Sequence, residues 1–117
     1  MPNQVVHFEV LGKDPKALQN FYQATFGWEL KPVMGEDYAM ATPGGQGGIN
    51  GGVGRAMDGS AGHVTFYIAV DDLNAALTKV ESAGGRKISD PMDIPNGPSI
   101  AMFADPEGHV IGLVKGM

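Results

Sequence analysis

Apolar and polar positions alternate along the first stretch of the chain. Between Val5 and Leu11, residues of one parity form an apolar face, and residues of the other parity form a mixed face that carries His7 and Glu9. Because successive side chains of a strand point to opposite faces, this pattern predicts a strand with one core face and one polar face. The apolar face consists of Val6, Phe8 and Val10.

The next residues change to helical spacing. Asp14 is a favourable N-cap, Pro15 suits the first helical position, and Gly27 suits the left-handed residue that follows a last turn. Between them lies an apolar stripe formed by Leu18, Phe21, Tyr22 and Phe26. We expect this stripe to pack on the apolar face of the strand. The polar face would then be available to line a site.

The same order of signals returns 58 residues later, in the segment His63–Ile88. Its strand is followed by a helix that begins at Asp71 or Asp72 and ends at Gly84-Gly85. The apolar positions of that helix are Leu73, Ala76, Leu77 and Val80. The repeat predicts a duplicated module. We expect one domain over residues 1–117, with modules at approximately 4–57 and 63–117.

Short strands complete each module. The pattern predicts them at Glu29–Val33, Tyr38–Thr42, Ile49–Val53, Arg86–Ser89, Ser99–Ala104 and Val110–Lys115. Asp105–His109 reads as a tight turn, and the three prolines of Asp90–Pro98 predict a loop without regular pairing. Each module is therefore βαβββ. The predicted fold is α+β, with two βαβββ modules in tandem forming a curved mixed sheet around a cleft.

A glycine-rich segment runs from Gly44 to Gly54, with seven glycines in eleven residues. The pattern of a phosphate-binding loop is absent, because no lysine follows and no helix signal begins there. We interpret the segment as a turn that enters a glycine-rich strand. A mobile lid over a pocket is the alternative.

Composition narrows the class of protein. The chain has 117 residues, a net charge of −5 and no cysteine. The charge disfavours nucleic acid and membranes as partners. The missing cysteines exclude disulfides, thiolate metal sites and cysteine nucleophiles. Without a signal peptide or an apolar run of membrane length, we expect a cytoplasmic protein.

Three segments together resemble the vicinal oxygen chelate superfamily, which includes glyoxalase I, extradiol dioxygenases and bleomycin resistance proteins. They are HFEV with FYQATFGWEL, then VTFYIAVDDLNAALTKVESAGG, and finally FADPEGHVIGLV. The chain closely resembles the short bacterial subgroup described as predicted enzymes related to lactoylglutathione lyase. The resemblance implies paired βαβββ modules around a cleft and, by analogy, a homodimer.

The metal enzymes of that superfamily take one ligand from the first strand and one from the last strand of each module. The resemblance places these positions at His7, Asn50, Thr65 and Gly112. Only His7 is a usual ligand, and a stable divalent-metal site needs about three donor side chains. We therefore expect no catalytic metal and no other cofactor. If a metal binds, a displaced site of His7, Glu9 and His63 is the alternative.

Two residues are the candidates for catalysis. His7 has the near-neutral pKa that suits proton transfer, and Glu9 beside it can assist. The alternative is that His7 is a buried packing histidine with a hydrogen-bond partner. The predicted ligand cleft is lined by His7, Glu9, Tyr38, Asn50, His63, Thr65, Tyr67 and Gly112. Trp28 is expected at a helix end or a dimer contact, and His109 in an exposed turn.

The leading hypothesis is a glyoxalase-like protein that binds a small organic molecule in an interior cleft without the standard metal site. One alternative is a metal-dependent lyase, isomerase or dioxygenase of the same superfamily. Others are a drug- or metabolite-sequestering protein and a dimeric accessory domain without a ligand. Because three of the four implied ligand positions have no usual metal donor in this chain, we expect no metal-dependent formation of lactoylglutathione.

Overall fold

The protein is described from a computed structural model, which covers residues 2–43 and 47–117. Over these residues the chain forms two helices and nine strands, in agreement with the predicted α+β class. In chain order the elements are β1 (Val5–Gly12), α1 (Pro15–Phe26), β2 (Leu30–Pro32), β3 (Tyr38–Ala41), β4 (Gly51–Arg55), β5 (Gly62–Ala69), α2 (Leu73–Ser82), β6 (Arg86–Lys87), β7 (Met92–Asp93), β8 (Ser99–Ala104) and β9 (Val110–Lys115).

The chain divides into two compact units. The His7 unit comprises His7–Val64, and the Tyr67 unit comprises residues 2–6 together with Thr65–Met117. Each unit contains one of the two helices and its own set of paired strands. Neither helix within the described ranges is long and apolar enough to cross a membrane.

The strands of the His7 unit follow the order β2-β3-β4-β1. β2, β3 and β4 are antiparallel neighbours, and β4 runs parallel to β1. Helix α1 lies against β4. There the side-chain amide of Gln19 donates hydrogen bonds to the carbonyl oxygens of Val53 and Glu36, at 3.0 and 3.2 Å. Val53 of β4 is fully buried.

The ends of α1 are those that the sequence predicts. The carboxylate of Asp14 accepts a hydrogen bond from the backbone N–H of Ala17 at 3.0 Å. Pro15 occupies the first turn, and Gly27 adopts a left-handed conformation with φ of 71°. Its backbone N–H bonds the carbonyl oxygen of Gln23 and satisfies a group at the helix end.

The predicted packing of the aromatic stripe of α1 is wrong in part. Phe21 and Phe26 are 54% and 62% exposed, so they do not enter the core. They contact one another, and the ring of Tyr22 stacks on Trp28 with centroids 4.7 Å apart. Trp28 in turn meets Phe8 of β1 at 5.2 Å. Leu18 and Tyr22 of the stripe are therefore the half-buried members that lie toward β1, whereas Phe21 and Phe26 face outward.

The Tyr67 unit has a compact apolar core under α2. β5 runs parallel to β9, and β8 is antiparallel to β9, β6 and β7. The buried cluster consists of Leu73, Leu77, Ala101 and Leu113, with Ile68, Val70, Ala76 and Phe103 packed against it. Asp72 is the N-cap of α2, where its carboxylate accepts from the N–H of Ala75 at 3.0 Å. The helical pattern of the second module is thus confirmed.

The proline-rich segment contains a strand that the sequence analysis did not predict. Met92–Asp93 pairs antiparallel with β8, in the register Met92 with Ile100 and Asp93 with Ser99. The prolines at 91, 95 and 98 flank this pair of residues rather than interrupt it. Both backbone N–H groups therefore remain available, and the expectation of no pairing was wrong.

The glycine-rich segment also begins its strand later than expected. The strand is Gly51–Arg55 and not Ile49–Val53, and Ile49 is 43% exposed. Part of the proposed lid, residues 44–46, lies outside the described residues. The turn at Asp105–His109 is confirmed, because the carboxylate of Asp105 accepts from the backbone N–H groups of Glu107 and His109.

Candidate functional site

The mixed face of β1 is the buried face of that strand. His7 is 6% exposed and Glu9 is 9% exposed, although both are polar. α1 packs on the opposite side, where Phe8 meets Trp28. A buried imidazole and a buried carboxyl group are costly unless each has a hydrogen-bond partner. Their partner is therefore the central feature of this face.

Tyr38 supplies that partner. Its hydroxyl oxygen lies 3.0 Å from Nε2 of His7, and the hydroxyl donates to Oε2 of Glu9 at 3.0 Å. One phenol thus joins an imidazole and a carboxylate that stand two residues apart on the same strand. These three side chains are called the His7–Tyr38–Glu9 array below.

The glycines of β4 make this reach possible. Tyr38 is opposite Gly54 in the β3–β4 register, and Gly52 is opposite Glu9 in the β4–β1 register. The phenol leans across β4 from β3 to β1. A Cβ at Gly52 would lie 1.8 Å from the Tyr38 hydroxyl oxygen, and one at Gly54 would lie 2.6 Å from its ring. Only a strand without side chains at both positions admits the ring.

His63 extends the array toward solvent. Its Nε2 lies 3.7 Å from Oε1 of Glu9, the carboxylate oxygen that Tyr38 does not contact in the array. The side chain of His63 is 42% exposed, whereas that of Glu9 is 12% exposed. This separation is longer than a hydrogen bond, and it forms an ion pair when His63 is protonated.

Burial sets the protonation of His7. Desolvation lowers its pKa below the usual histidine value, and the nearby negative charge of Glu9 acts in the opposite direction. Desolvation is the larger of the two effects. The imidazole is therefore held toward its neutral form, in which one nitrogen donates a hydrogen bond and the other accepts.

The Tyr67 unit has a related arrangement on the face of its sheet away from α2. Tyr67 is 7% exposed and is opposite Gly112 in the β5–β9 register. A Cβ at Gly112 would lie 2.3 Å from Cδ2 of Tyr67, so the ring fills the space above the glycine. Thr65 is buried, and its hydroxyl donates to the carbonyl oxygen of Val110 at 2.8 Å.

The remaining candidates lie elsewhere. Asn50 is exposed and immediately precedes β4, and its carbonyl oxygen accepts from the N–H of Phe8 at 3.4 Å. His109 is in the exposed turn, with its Nδ1 2.9 Å from a carboxylate oxygen of Asp105. Trp28 follows the end of α1, as expected. Within the His7 unit, the structure therefore brings together four of the predicted residues: His7, Glu9, Tyr38 and His63.

The donor groups do not fit the metal site of the superfamily. At the four implied positions, Gly112 has no donor and Tyr67 occupies its side-chain space. The hydroxyl of Thr65 is bonded to a backbone carbonyl oxygen. Across residues 2–43 and 47–117, no three or more His, Cys, Asp or Glu side chains form a group that could hold a metal ion.

The displaced set fits no better. Zinc lies about 2.0–2.2 Å from imidazole and carboxylate donors. Nε2 of His7 and Oε2 of Glu9 instead point at the same phenol oxygen, each at 3.0 Å. An ion bound by these two atoms would have to displace Tyr38. What the array offers is hydrogen bonding and proton transfer by organic side chains.

A separate groove lies at the edge strand of the His7 unit. It has a volume of about 420 Å³ and is lined by Glu29, Leu30, Lys31, Pro32 and Thr42. None of the residues of the His7–Tyr38–Glu9 array lines it. It is lined by no histidine and no aromatic side chain, so it lacks the imidazole and phenol groups of the array.

Sequence reasoning missed the connection between Tyr38 and the first strand. The pattern predicts a glycine-rich strand at Ile49–Val53, but it does not indicate that Gly52 and Gly54 form the floor on which Tyr38 lies. The usable signal was the spacing of these glycines. Two glycines of equal parity on one strand leave a channel for a neighbouring aromatic ring.

Comparisons with known proteins identify a family to which the sequence is similar. The family model described as the glyoxalase/bleomycin resistance protein/dioxygenase superfamily matches residues 4–113. The protein named "Putative glyoxylase CFP32" from Mycobacterium tuberculosis is 31% identical over 110 residues, covering 92% of this chain and 42% of that protein. A glyoxylase-like domain-containing protein from Didymella fabae is 31% identical over 113 residues, covering 91% of this chain and 88% of that protein.

Among solved structures, a superfamily member from Vibrio splendidus 12B01 aligns with a TM-score of 0.68. The alignment covers 97% of this chain and 99% of that chain, at 17% sequence identity, so the likeness concerns the fold. The chain spans less than half the length of the mycobacterial relatives, with 42% of each covered.

Proposed function

Because the chain belongs to the glyoxalase/bleomycin resistance protein/dioxygenase superfamily, we propose that it binds a small organic molecule against the buried polar face of β1. The ligand is held by hydrogen bonds to side chains, in place of a metal ion. His7 exchanges a proton with the bound molecule, and Glu9 supports it through Tyr38.

The observation that carries this proposal is the shared hydroxyl of Tyr38, 3.0 Å from both Nε2 of His7 and Oε2 of Glu9. Stability alone does not require such an array, since an apolar replacement of matched shape would avoid the desolvation cost. Buried groups with a lowered pKa concentrate at functional sites. In a low-dielectric environment their hydrogen bonds to a ligand are also stronger than in water.

A thermal-shift screen tests the proposal. The panel contains small carbonyl, carboxylate and phenolic compounds, whose oxygen atoms can bond an imidazole or a phenol. A compound at a hundredfold over Kd stabilises the protein by about 2.7 kcal/mol. We expect such a compound to stabilise the wild type and to lose its effect in His7→Gln.

Tyr22→Phe is the matched control, because it removes a phenolic hydroxyl elsewhere in the same unit and keeps the ring that stacks on Trp28. The proposal is wrong if no compound of the panel stabilises the wild type. It is also wrong if stabilisation by the best compound is equal in wild type and His7→Gln.

The proposal includes the absence of a catalytic metal and of any other cofactor. Support comes from the donor set, since His7 and Glu9 are both directed at Tyr38. The protein should be incubated with zinc, nickel, manganese and iron, desalted, and analysed for bound metal. Near-stoichiometric retention that is lost in His7→Ala would contradict this part. We likewise expect no lactoylglutathione formation when these metals are added.

We also propose that two copies associate through the outward side of α1. Phe21 and Phe26 are more than half exposed there, and no charged residue occurs from Ala17 to Trp28. Two chains of net charge −5 repel one another, so an uncharged aromatic surface is where they can approach at least cost. Light scattering after size exclusion measures the mass in solution.

A cytoplasmic location completes the proposal. It is supported by composition, because a chain without cysteine gains nothing from an oxidising compartment. Fractionation of cells that express the protein with its native termini would test it. Recovery with the membrane or the secreted fraction would contradict this location.

A further inference from the structure

We propose that Tyr38 is a positioning residue that fixes the tautomer of His7, so that Nε2 carries the proton and Nδ1 is the basic nitrogen. The inference concerns the unliganded protein. Its use in chemistry rests on the proposed function, but its test does not require a ligand.

The first step is a count of hydrogen atoms at the phenol oxygen. Tyr38 has one hydroxyl hydrogen, and its oxygen lies within hydrogen-bond distance of two groups, each at 3.0 Å. A carboxylate can only accept a hydrogen bond. The hydroxyl hydrogen is therefore directed at Oε2 of Glu9, and the phenol oxygen is left as an acceptor.

The second step follows from the first. A phenol oxygen that accepts a hydrogen bond at 3.0 Å requires a hydrogen on Nε2 of His7. A neutral imidazole has one N–H, so the other nitrogen, Nδ1, carries the lone pair. If the proton were on Nδ1 instead, Nε2 and the phenol oxygen would face each other with lone pairs only.

The third step explains why the phenol cannot turn away. Its ring lies over Gly52 and Gly54, in the space that side chains at these positions would fill. The pairings of β3 with β4 and of β4 with β1 fix the distance from Tyr38 to Glu9. The hydroxyl is thereby held between the imidazole of His7 and the carboxylate of Glu9 on β1. The glycines of β4 leave the space for the ring in this position.

The fourth step concerns the exposed end of the array. His63 lies 3.7 Å from Oε1 of Glu9, the oxygen opposite to the one that Tyr38 bonds. Each oxygen of an ionised carboxylate can only accept hydrogen bonds. The order of donation therefore runs from His7 to Tyr38 and from Tyr38 to Glu9.

The consequence is an assignment of roles to atoms. Nε2 of His7 donates to Tyr38, and Nδ1 is the ring nitrogen that can accept a proton or a hydrogen bond. Ligands that donate a hydrogen, such as hydroxyl compounds and carbonyl compounds in their enol form, match this tautomer. Ligands that offer only acceptor oxygen atoms do not match Nδ1.

The test is a long-range proton–nitrogen NMR spectrum of the ¹⁵N-labelled protein, at a pH where imidazole is neutral. The chain has three histidines, so His63→Gln and His109→Gln assign the signals of His7 by elimination. In the wild type we expect the nitrogen shift of a protonated Nε2 and of an unprotonated Nδ1. In Tyr38→Phe we expect both shifts to move toward the values of a tautomer mixture.

Glu9→Gln provides a second variant. A glutamine amide can donate to the phenol oxygen, which allows the hydroxyl to turn toward His7, so the Nδ1–H form should increase. Tyr22→Phe should leave the His7 signals at their wild-type positions. A protonated Nδ1 in the wild type would overturn the inference. Unchanged His7 shifts in folded Tyr38→Phe and folded Glu9→Gln would do the same. Neither result would decide whether a ligand binds at this face, because the thermal-shift screen tests that separately.

Discussion

The hydroxyl oxygen of Tyr38 lies where a side chain on Gly52 would begin, at 1.8 Å from the position of a Cβ there. The two residues belong to neighbouring strands, β3 and β4. Their fit explains why a strand in the middle of the His7 unit is rich in glycine. It also couples the sequence of β4 to the hydrogen bonding of His7 and Glu9 on β1.

Gly52→Ala should displace the Tyr38 ring and destabilise the protein. Overpacking of a close-packed site costs about 1–3 kcal/mol, and here the backbone of two strands limits relaxation. Urea denaturation measures the loss. In a Tyr38→Ala background the same substitution should cost much less, because the clashing ring is gone. An equal cost in both backgrounds would contradict the proposed fit.

Gly112→Glu places a carboxylate at the position that the superfamily resemblance assigns to a metal ligand. Its Cβ would lie 2.3 Å from the Tyr67 ring, so we expect a loss of stability of about 1–3 kcal/mol and no gain in metal retention. Combining it with Tyr67→Ala should give a coupling energy of about 0.5–3 kcal/mol that favours the double variant. Simple additivity in urea denaturation would argue against steric exclusion by Tyr67.

The pH dependence of stability should carry the signature of His7. Its pKa is lower in the folded protein than in the unfolded chain, so the unfolded chain binds more protons between the two pKa values. The contribution of His7 to the free energy of unfolding is fully present above its unfolded-state pKa. It declines as the pH falls toward its folded-state pKa. Each pH unit between them corresponds to about 1.4 kcal/mol.

Urea denaturation between about pH 5 and 8 measures how the free energy of unfolding changes with pH. This range brackets the reference pKa of histidine, near 6.5. His7→Gln should remove the contribution. His109→Gln should retain it, because His109 is exposed and its partner Asp105 has a lowered pKa, far from this range. An identical slope in wild type and His7→Gln would show that His7 is not the responsible group.

Phe26→Ser should weaken association of two copies more than it affects folding. The side chain is 62% exposed and meets Phe21, Tyr22 and Trp28 at centroid distances of 6.3 to 6.4 Å, so the loss of stability should be about 0.5–1.5 kcal/mol. Met57→Ser is the control, since Met57 is 71% exposed in the same unit. Light scattering should give a lower mass for Phe26→Ser than for Met57→Ser. A monomeric wild type would contradict the association itself.

Local signals predicted most elements of the fold. Asp14, Gly27 and Asp72 begin or end helices because capping depends on residues within one turn. β8 and β9 have the predicted bounds because alternation and the turn at Asp105 act over few residues. Strand β7 was missed because pairing depends on a partner strand, while the prolines around Met92 and Asp93 gave a misleading local signal.

The site was predictable only in part. Strand parity placed His7 and Glu9 on one face, and the structure has them there with low exposure. The role of Tyr38 depends on the registers of β3 with β4 and of β4 with β1, which no local pattern fixes. The outward aromatic side of α1 was mispredicted because periodicity identifies an apolar stripe but not what covers it.

The most direct measurement of the central claim is the affinity of the best compound from the screen, determined by isothermal titration calorimetry at one pH for three proteins. We expect Tyr38→Phe to bind about three- to tenfold more weakly than the wild type, because only about a tenth to a third of its His7 would hold the tautomer that accepts from the ligand. Tyr22→Phe should retain the wild-type affinity. Equal affinity of wild type and Tyr38→Phe would contradict a ligand site at the His7–Tyr38–Glu9 array.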